Sequence, residues 1–224
     1  MARILCIETT TTNCSVALAN NGEVIALKED MGLNYSHAER LHIYIQEVLD
    51  EAGVAKNALE AIAVSKGPGS YTGLRIGVSS AKGLSFALSI PLISTNTLKA
   101  LAMQSSASDV KYVIPLLDAR RMEVYSAIYD ADFYELRGIE AQIIDEHSFA
   151  DYLNAGKTVF IGDGAKKLED IIKHPNACFN TEALPSAREM ALLADAKNKI
   201  SDIEDVAYFE PFYLKDFQIN NPKK

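Results

Sequence analysis

The sequence predicts an α/β protein made of two similar lobes, and three observations support this fold class. First, an apolar run at 61–65 leads through the glycine-rich turn KGPGSYTG into a long apolar segment, which indicates strand, tight turn and helix. Second, three strand-like runs open the chain and a similar series returns later: 3–8, 14–19 and 23–29, then 112–118, 123–128 and 133–137. Third, Glu8 precedes Gly22 by as many residues as Asp118 precedes Asp132, so we interpret the second series as an internal duplication.

The first strand ends at Glu8, which faces the hydroxyl-rich turn TTTTN. Such a place suits a catalytic or phosphate-facing acid, but we favour an exposed strand end. Ser36 and Glu39 form a capping box, so a helix is expected from His37 to the stop at Gly53. Its apolar stripe is widened by Ile43, which hints at a partner surface.

The next helix is expected to begin with Thr72 as its cap, after the glycine-rich turn. Gly73, Gly77, Ala81 and Ser85 recur every fourth residue, so one face of this helix has almost no side-chain bulk. A glycine inside a helix costs roughly 1 kcal/mol relative to alanine. We therefore expect a close contact with a second helix, from this chain or from another.

The helix start could also bind an anion, because backbone N–H groups and the side chains of Lys66 and Arg75 would surround Gly69. The motif is neither a P-loop nor a dinucleotide fingerprint. We favour the simpler interpretation, a tight strand-to-helix turn.

The rest of the chain divides at the polar stretch SSAS. Before it we expect a strand at 91–94 and a helix at 97–103; after the second series we expect a strand at 157–161 and helices at 166–173 and 186–199. This gives an N-terminal lobe at 1–104 and a C-terminal lobe at 105–205. The tail, about 206–224, is aromatic and then polar, and is expected to pack back on the first lobe.

Composition limits the classes of function. The chain has 224 residues, 48% of them hydrophobic, and a net charge of −8, which argues against nucleic-acid binding by this chain alone without excluding a local basic patch. The three cysteines have no metal-ligand spacing and are expected to be reduced. The sequence shows no signal peptide and no membrane span, so we expect a cytoplasmic protein without membrane contact.

Several motifs together resemble a known family. Two lobes with a repeated meander resemble the actin-like ATPase and sugar kinase (ribonuclease H-like) superfamily. Within it, five segments resemble TsaB (YeaZ-type) tRNA threonylcarbamoyladenosine biosynthesis proteins: IETTTTNCSVAL at 7–18, KGPGSYTGLRIG at 66–77, LDARRMEVY at 117–125, GDGA at 162–165 and PFYLK at 211–215.

This resemblance implies a non-catalytic paralogue of TsaD, the metal-dependent subunit that transfers threonylcarbamoyl to the adenosine beside the anticodon in tRNAs reading codons that begin with A. It implies binding to TsaD and to the small ATPase TsaE, a homodimer when the chain is alone, and contact with tRNA only through the complex. The chain alone would bind no cofactor, whereas the complex would use ATP and a metal ion.

The two N-terminal helices are expected to form the interface with TsaD, and with a second copy of this chain, as a four-helix bundle. The predicted interface residues are Leu41, Ile45, Val48, Gly73, Leu74, Gly77, Val78, Ala81 and Ser85.

No catalytic residue and no metal ligand is predicted. TsaD-type proteins carry a His-x-x-x-His pair after the segment matching 90–94, and by that placement the pair falls here on Thr97 and Leu101. Two alternatives stay open: an ATP-binding or ATP-hydrolysing protein of the same superfamily, in which Glu8 and Asp118 would organise a metal, and a glycoprotease-type metallopeptidase. The turn at 9–13 lacks the glycine that lets a phosphate approach the backbone, which disfavours the first.

Overall fold

The computed structural model describes residues 2–30 and 37–215. Its first sheet has the strand order β3-β2-β1-β4-β5. The strands are β1 (Arg3–Glu8), β2 (Cys14–Asn20), β3 (Glu23–Asp30), β4 (Ala61–Ser65) and β5 (Leu92–Thr95). β1, β2 and β3 form an antiparallel meander, while β4 lies parallel to both β1 and β5.

The second sheet repeats this arrangement. Its order is β10-β9-β6-β7-β8, so an antiparallel meander again adjoins a parallel pair in the same sequence of partners. The strands are β6 (Tyr112–Asp118), β7 (Glu123–Asp130), β8 (Glu135–Ile143), β9 (Thr158–Ile161) and β10 (Ala177–Asn180). The predicted repetition of the strand meander in two similar lobes is thereby confirmed.

Helices cover both faces of each sheet. They are α1 (His37–Glu51), α2 (Tyr71–Leu88), α3 (Thr97–Ala102), α4 (Ala150–Ala155), α5 (Ala165–Ile171) and α6 (Ala187–Lys199), with a short 3-10 turn at Lys56–Ala58. α1 and α2 pack on one face of the first sheet and α6 on the other. α3 packs on one face of the second sheet, and α4 and α5 cover its opposite face. In the described part of the chain, no helix is long and apolar enough to cross a membrane.

The position of α6 corrects the predicted division of the chain. Its residues fall within 105–205, which we assigned to the C-terminal lobe, yet Ala187 and Met190 pack in a cluster with Ile4 and Cys6 of the first sheet. The helix start is fixed there as well, because the Ala187 amide donates to Ser15 Oγ at 3.0 Å. A helix late in the sequence therefore completes the core of the first lobe.

Capping residues were predicted for the starts of α1 and α2. α2 is capped by Ser70, whose hydroxyl accepts a hydrogen bond from the Gly73 amide at 3.3 Å, so the prediction of Thr72 as the cap was wrong. The capping residue predicted for α1, Ser36, lies outside the described residues.

The segment after α6 lies along the first lobe. The Glu204 amide donates to the Leu92 carbonyl at 2.8 Å, and Val206 and Phe209 pack against the first core. Lys82 of α2 donates to the carbonyl of Phe209 at 2.8 Å. The described part of the tail ends at Lys215, which forms an ion pair with Glu123 of the second lobe.

Candidate partner interface

The residues predicted to meet a partner lie inside the chain's own core. All of them are buried: Leu41, Ile45, Val48, Gly73, Leu74, Gly77, Val78, Ala81 and Ser85. They face the first sheet and the turn after β1 rather than solvent, so they cannot form the surface that a partner meets. That prediction is corrected.

The small residues of α2 are explained by the turn that follows β1. A Cβ atom at Gly73 would lie 2.0 Å from the Thr9 carbonyl oxygen, and one at Gly77 would lie 2.3 Å from Thr9 Oγ1. Thr9 Oγ1 donates a hydrogen bond to the Gly73 carbonyl at 2.8 Å. The close contact expected from a second helix is therefore supplied by a loop of the same chain.

The opposite face of α2 is open. Phe86 is 81% exposed, and a Cβ atom at Gly83 would meet no atom within 4 Å. On the neighbouring helix α1, Ile43 is 54% exposed. The two helices are linked by His42 and Ser80, whose Nε2 and Oγ atoms lie 3.4 Å apart. We call the set His42, Ile43, Ser79, Gly83 and Phe86 the outer surface of α1 and α2.

This outer surface was only partly visible in the sequence. Ile43 stood out because it lies off the buried stripe of α1. Phe86 was not predicted as a surface residue, because the prediction followed the regular row of small residues on the other face of the helix. An exposed aromatic side chain and an uncovered backbone position on one helix, with an exposed isoleucine on the neighbouring helix, have the character of a protein-binding surface.

The three residues considered for anion binding each contact another part of the chain. Gly69 packs on the turn after β1, where its Cβ would lie 2.5 Å from Thr10 Cβ. The Arg75 guanidinium lies 4.1 Å from the Tyr71 ring centroid, and Arg75 Nε donates to the Tyr213 hydroxyl at 3.4 Å. The carbonyl of Lys66 accepts from the Phe212 amide at 2.7 Å. Each residue thus has a different neighbour.

Glu8 is fully buried, so the expectation of an exposed strand end was wrong. One carboxyl oxygen accepts from the amide of Thr10 at 2.6 Å and from the hydroxyl of Thr10. Burial raises the pKa of Glu8, although the hydrogen bonds from Thr10 oppose the shift.

The acid at the equivalent place in the second lobe has different surroundings. Asp118 is half exposed and pairs with Lys167 at 2.7 Å. Its amide donates to the Asp163 carboxylate at 2.9 Å, and burial raises the pKa of Asp163. The two strand-end acids therefore differ in burial and in their hydrogen-bond and ion-pair partners.

The positions aligned with a histidine pair cannot bind a metal ion. Thr97 and Leu101 of α3 are fully buried, with the Thr97 hydroxyl 2.6 Å from Ser65 Oγ and Leu101 in an apolar cluster. Across residues 2–30 and 37–215, no group of three or more histidine, cysteine, aspartate or glutamate side chains is placed to hold a metal ion. These residues do not fit the metal ion that the resemblance implies for TsaD-type proteins.

Comparison with known proteins identifies the family. The family model described as TsaD, tRNA N6-adenosine threonylcarbamoyltransferase, matches residues 33–222. The TsaB protein of Escherichia coli is 32% identical, with 96% of this chain and 95% of the relative covered; that of Bacillus subtilis is 31% identical, with 95% and 93% covered.

Solved structures agree with these relatives. YeaZ from Pseudomonas aeruginosa superposes with a TM-score of 0.82 at 29% identity, covering 96% of this chain and all of that one. The ethanolamine utilization protein EutJ of Carboxydothermus hydrogenoformans, at 9% identity, has a TM-score of 0.50, covers 84% of this chain and 88% of its own, and shares the fold alone. The predicted fold class, an α/β fold with two similar lobes, is confirmed. The chain belongs to the TsaB family of tRNA threonylcarbamoyladenosine biosynthesis proteins.

Proposed function

We propose that this chain is a non-catalytic subunit of tRNA threonylcarbamoyladenosine biosynthesis, which binds a TsaD-type protein through the outer surface of α1 and α2. Binding makes that partner competent to transfer threonylcarbamoyl to the adenosine beside the anticodon in tRNAs reading codons that begin with A. The observation that carries the proposal is the exposure of Phe86 and Ile43 beside the uncovered Gly83.

The kind of partner follows from the shared family model. Because the model described as TsaD matches most of this chain, a TsaD-type protein has helices equivalent to α1 and α2. Two such helix pairs, packed outer surface to outer surface, form a four-helix bundle with approximate two-fold symmetry. The same contact between two copies of this chain would be isologous, so the proposal includes a homodimer when the partner is absent.

The absence of a histidine pair at Thr97 and Leu101 supports a non-catalytic role. In this proposal the partner holds the metal ion and performs the transfer, while a TsaE-type ATPase joins the complex and uses ATP. This chain binds no cofactor alone, and tRNA reaches it only through the complex.

The interface is tested with two substitutions that point outwards. Phe86→Asp removes an aromatic side chain of the kind that dominates binding energy, and Gly83→Arg places a long cation where the helix backbone is open. Loss of about 2 kcal/mol or more, the size of a hot spot, weakens binding at least about thirtyfold. The matched control is Leu192→Asp on α6, another helical residue with an apolar side chain that is 59% exposed.

Binding of the purified TsaD-type partner is measured by titration calorimetry, and threonylcarbamoyl transfer to tRNA by nucleoside analysis of the same mixtures. We expect both to fall for Phe86→Asp and Gly83→Arg, with circular dichroism and Leu192→Asp unchanged. Wild-type affinity in both outward variants would refute the interface. Transfer by this chain without its partner would refute the non-catalytic role.

A further inference from the structure

Residues 204–215, which we call the C-terminal segment, run along one side of α2 in the direction opposite to the helix. Near the helix start, Arg75 Nε donates to the Tyr213 hydroxyl at 3.4 Å. About two turns later, Lys82 Nζ donates to the Phe209 carbonyl at 2.8 Å. Beyond the end of the helix, the segment forms an antiparallel bridge with β5. The part of the segment before Phe209 therefore lies beside the last turns of α2.

Phe86 lies on the side of α2 that faces this segment. Side chains four residues apart on a helix are neighbours, so Phe86 follows Lys82 on the same side, one turn and about 5.4 Å further along. Phe86 also belongs to the outer surface of α1 and α2, together with the uncovered Gly83. Phe86 therefore lies where that outer surface meets the C-terminal segment.

Tyr208 is the aromatic residue of the C-terminal segment that points outwards at this place. Its neighbours Val206 and Phe209 pack against the first core, whereas Tyr208 is 84% exposed. With Phe86 at 81%, these are the two most exposed large apolar or aromatic residues within 2–30 and 37–215. A single exposed aromatic residue is ordinary on a protein surface, but two that both adjoin Lys82 form a larger apolar area.

The backbone that carries Tyr208 is held by Lys82 and Asp205. Lys82 Nζ donates to the carbonyls on both sides of Tyr208, at 3.2 Å to Ala207 and 2.8 Å to Phe209. The Asp205 carboxylate accepts from the amides of Ala207 and Tyr208, at 2.8 Å and 3.2 Å. An aromatic side chain on a fixed turn loses little conformational entropy when it binds, which suits it to a protein interface.

We propose that Tyr208 contacts the same TsaD-type partner as Phe86, and that Lys82 is a positioning residue that presents Tyr208 to it. The inference rests on the proposed function, since the partner is assigned by continuity with the outer surface of α1 and α2. Tyrosine is one of the residue types that contribute most to the binding energy of protein interfaces. The partner surface then combines two helices near the start of the sequence with a turn near its end.

The first test replaces Tyr208 with serine in the full chain and measures the affinity for the purified TsaD-type partner by titration calorimetry. We expect binding to weaken at least about fivefold, which corresponds to the loss of about 1 kcal/mol or more. The matched control is Tyr134→Ser, at a tyrosine that is 72% exposed in the connection between β7 and β8. The control should bind like the wild-type chain, and both variants should keep the wild-type melting temperature.

The second test asks whether Lys82 acts through Tyr208. Lys82→Met removes the ammonium group that donates to the two carbonyls, and it should weaken binding in the wild-type chain. In the Tyr208→Ser variant the same substitution should change the affinity by no more than about twofold, because the two residues act as one unit. Lys82→Arg keeps a cation with several donors and should restore part of the affinity. Additive losses in the double variant would overturn the positioning role.

Phe86→Asp is measured in the same series, so that two kinds of failure can be distinguished. Weak binding by Phe86→Asp with wild-type affinity in Tyr208→Ser would overturn this inference and leave the proposed interface intact. Wild-type affinity in both variants would overturn the interface and the inference together. Weaker self-association of Tyr208→Ser, with unchanged affinity for the partner, would assign Tyr208 to a second copy of the chain and would also overturn the inference.

Discussion

At the scale of single residues, the glycines at the start of α2 pack closely against two threonines in the turn after β1. Gly69, Gly73 and Gly77 lie against Thr9 and Thr10 at distances that leave no room for a side chain. The Ser70 amide also donates to the Thr10 carbonyl at 2.7 Å. The turn after β1 and the start of α2 therefore form one rigid unit.

We predict that Gly73→Ala is strongly destabilising, because its Cβ would overlap a backbone oxygen that cannot move independently of β1. Overpacking of this kind costs about 1–3 kcal/mol and occasionally more. The control is Gly83→Ala on the open face of the same helix, which should gain up to about 1 kcal/mol from helix propensity. Urea unfolding of both variants measures the difference, and equal effects would contradict the contact.

Glu8 should make stability depend on pH. Its pKa is raised by burial, so its neutral form stabilises the fold fully at low pH, and that contribution is lost as pH rises through the raised value. Glu8→Gln keeps a neutral group of the same shape and should flatten the loss of unfolding free energy that begins as the pH rises above the ordinary glutamate pKa of about 4.3. A slope unchanged by the substitution would assign the dependence to other groups.

At the scale of elements, α2 has two faces with opposite consequences for mutation. Ala81 is fully buried against the first core, whereas Gly83, two residues on, faces open space. A charge directed inwards has no partner in an apolar cluster, and its burial is costly. A substitution on the buried face of α2 is therefore expected to affect folding, and one on the open face is expected to affect binding.

We predict that Ala81→Glu loses about 3–5 kcal/mol of stability and with it a cooperative thermal transition. Gly83→Arg should melt at or above the wild-type temperature while losing its partner. Thermal unfolding followed by circular dichroism separates the two. A stable Ala81→Glu variant with impaired binding would restore the interface that we first predicted.

Sequence patterns predicted some elements of this fold well and others poorly. Periodicity and capping signals located β1, β4, β6, α1 and α6 closely, because their apolar residues repeat at the spacing of a strand or helix. α4 and β10 were missed because they are short and only partly buried. A row of small residues shows that something approaches closely, but it does not show whether that neighbour is a helix, a loop or another protein.

At the scale of the whole molecule, each lobe contains a helix whose residues come from the other half of the sequence. α6 completes the first lobe from beyond the second, and α3 leaves the first sheet to pack on Val113 and Ile161 of the second. Lys99 of α3 donates to the Phe133 carbonyl, next to the β7–β8 turn, and lies 4.8 Å from the Tyr129 ring centroid. The lobes therefore share both core residues and polar contacts.

We predict a single cooperative unfolding transition in which both lobes melt together. A fragment of residues 1–104 should not fold, because it lacks the α6 residues Ala187, Met190 and Ala194 that cover the first sheet. Calorimetric and van't Hoff enthalpies should agree for the full chain. Two separate transitions, or a folded 1–104 fragment, would show that the lobes are independent.

The packing of Gly69 and Gly73 onto Thr9 and Thr10 has a pharmacological consequence. A small molecule that approaches the backbone at the end of β1 needs space there, and here the chain fills that space itself. Inhibitors of this chain would instead have to compete for the exposed ring of Phe86 and its neighbours on α1 and α2. A screen should therefore follow the loss of a protein complex rather than the displacement of a nucleotide.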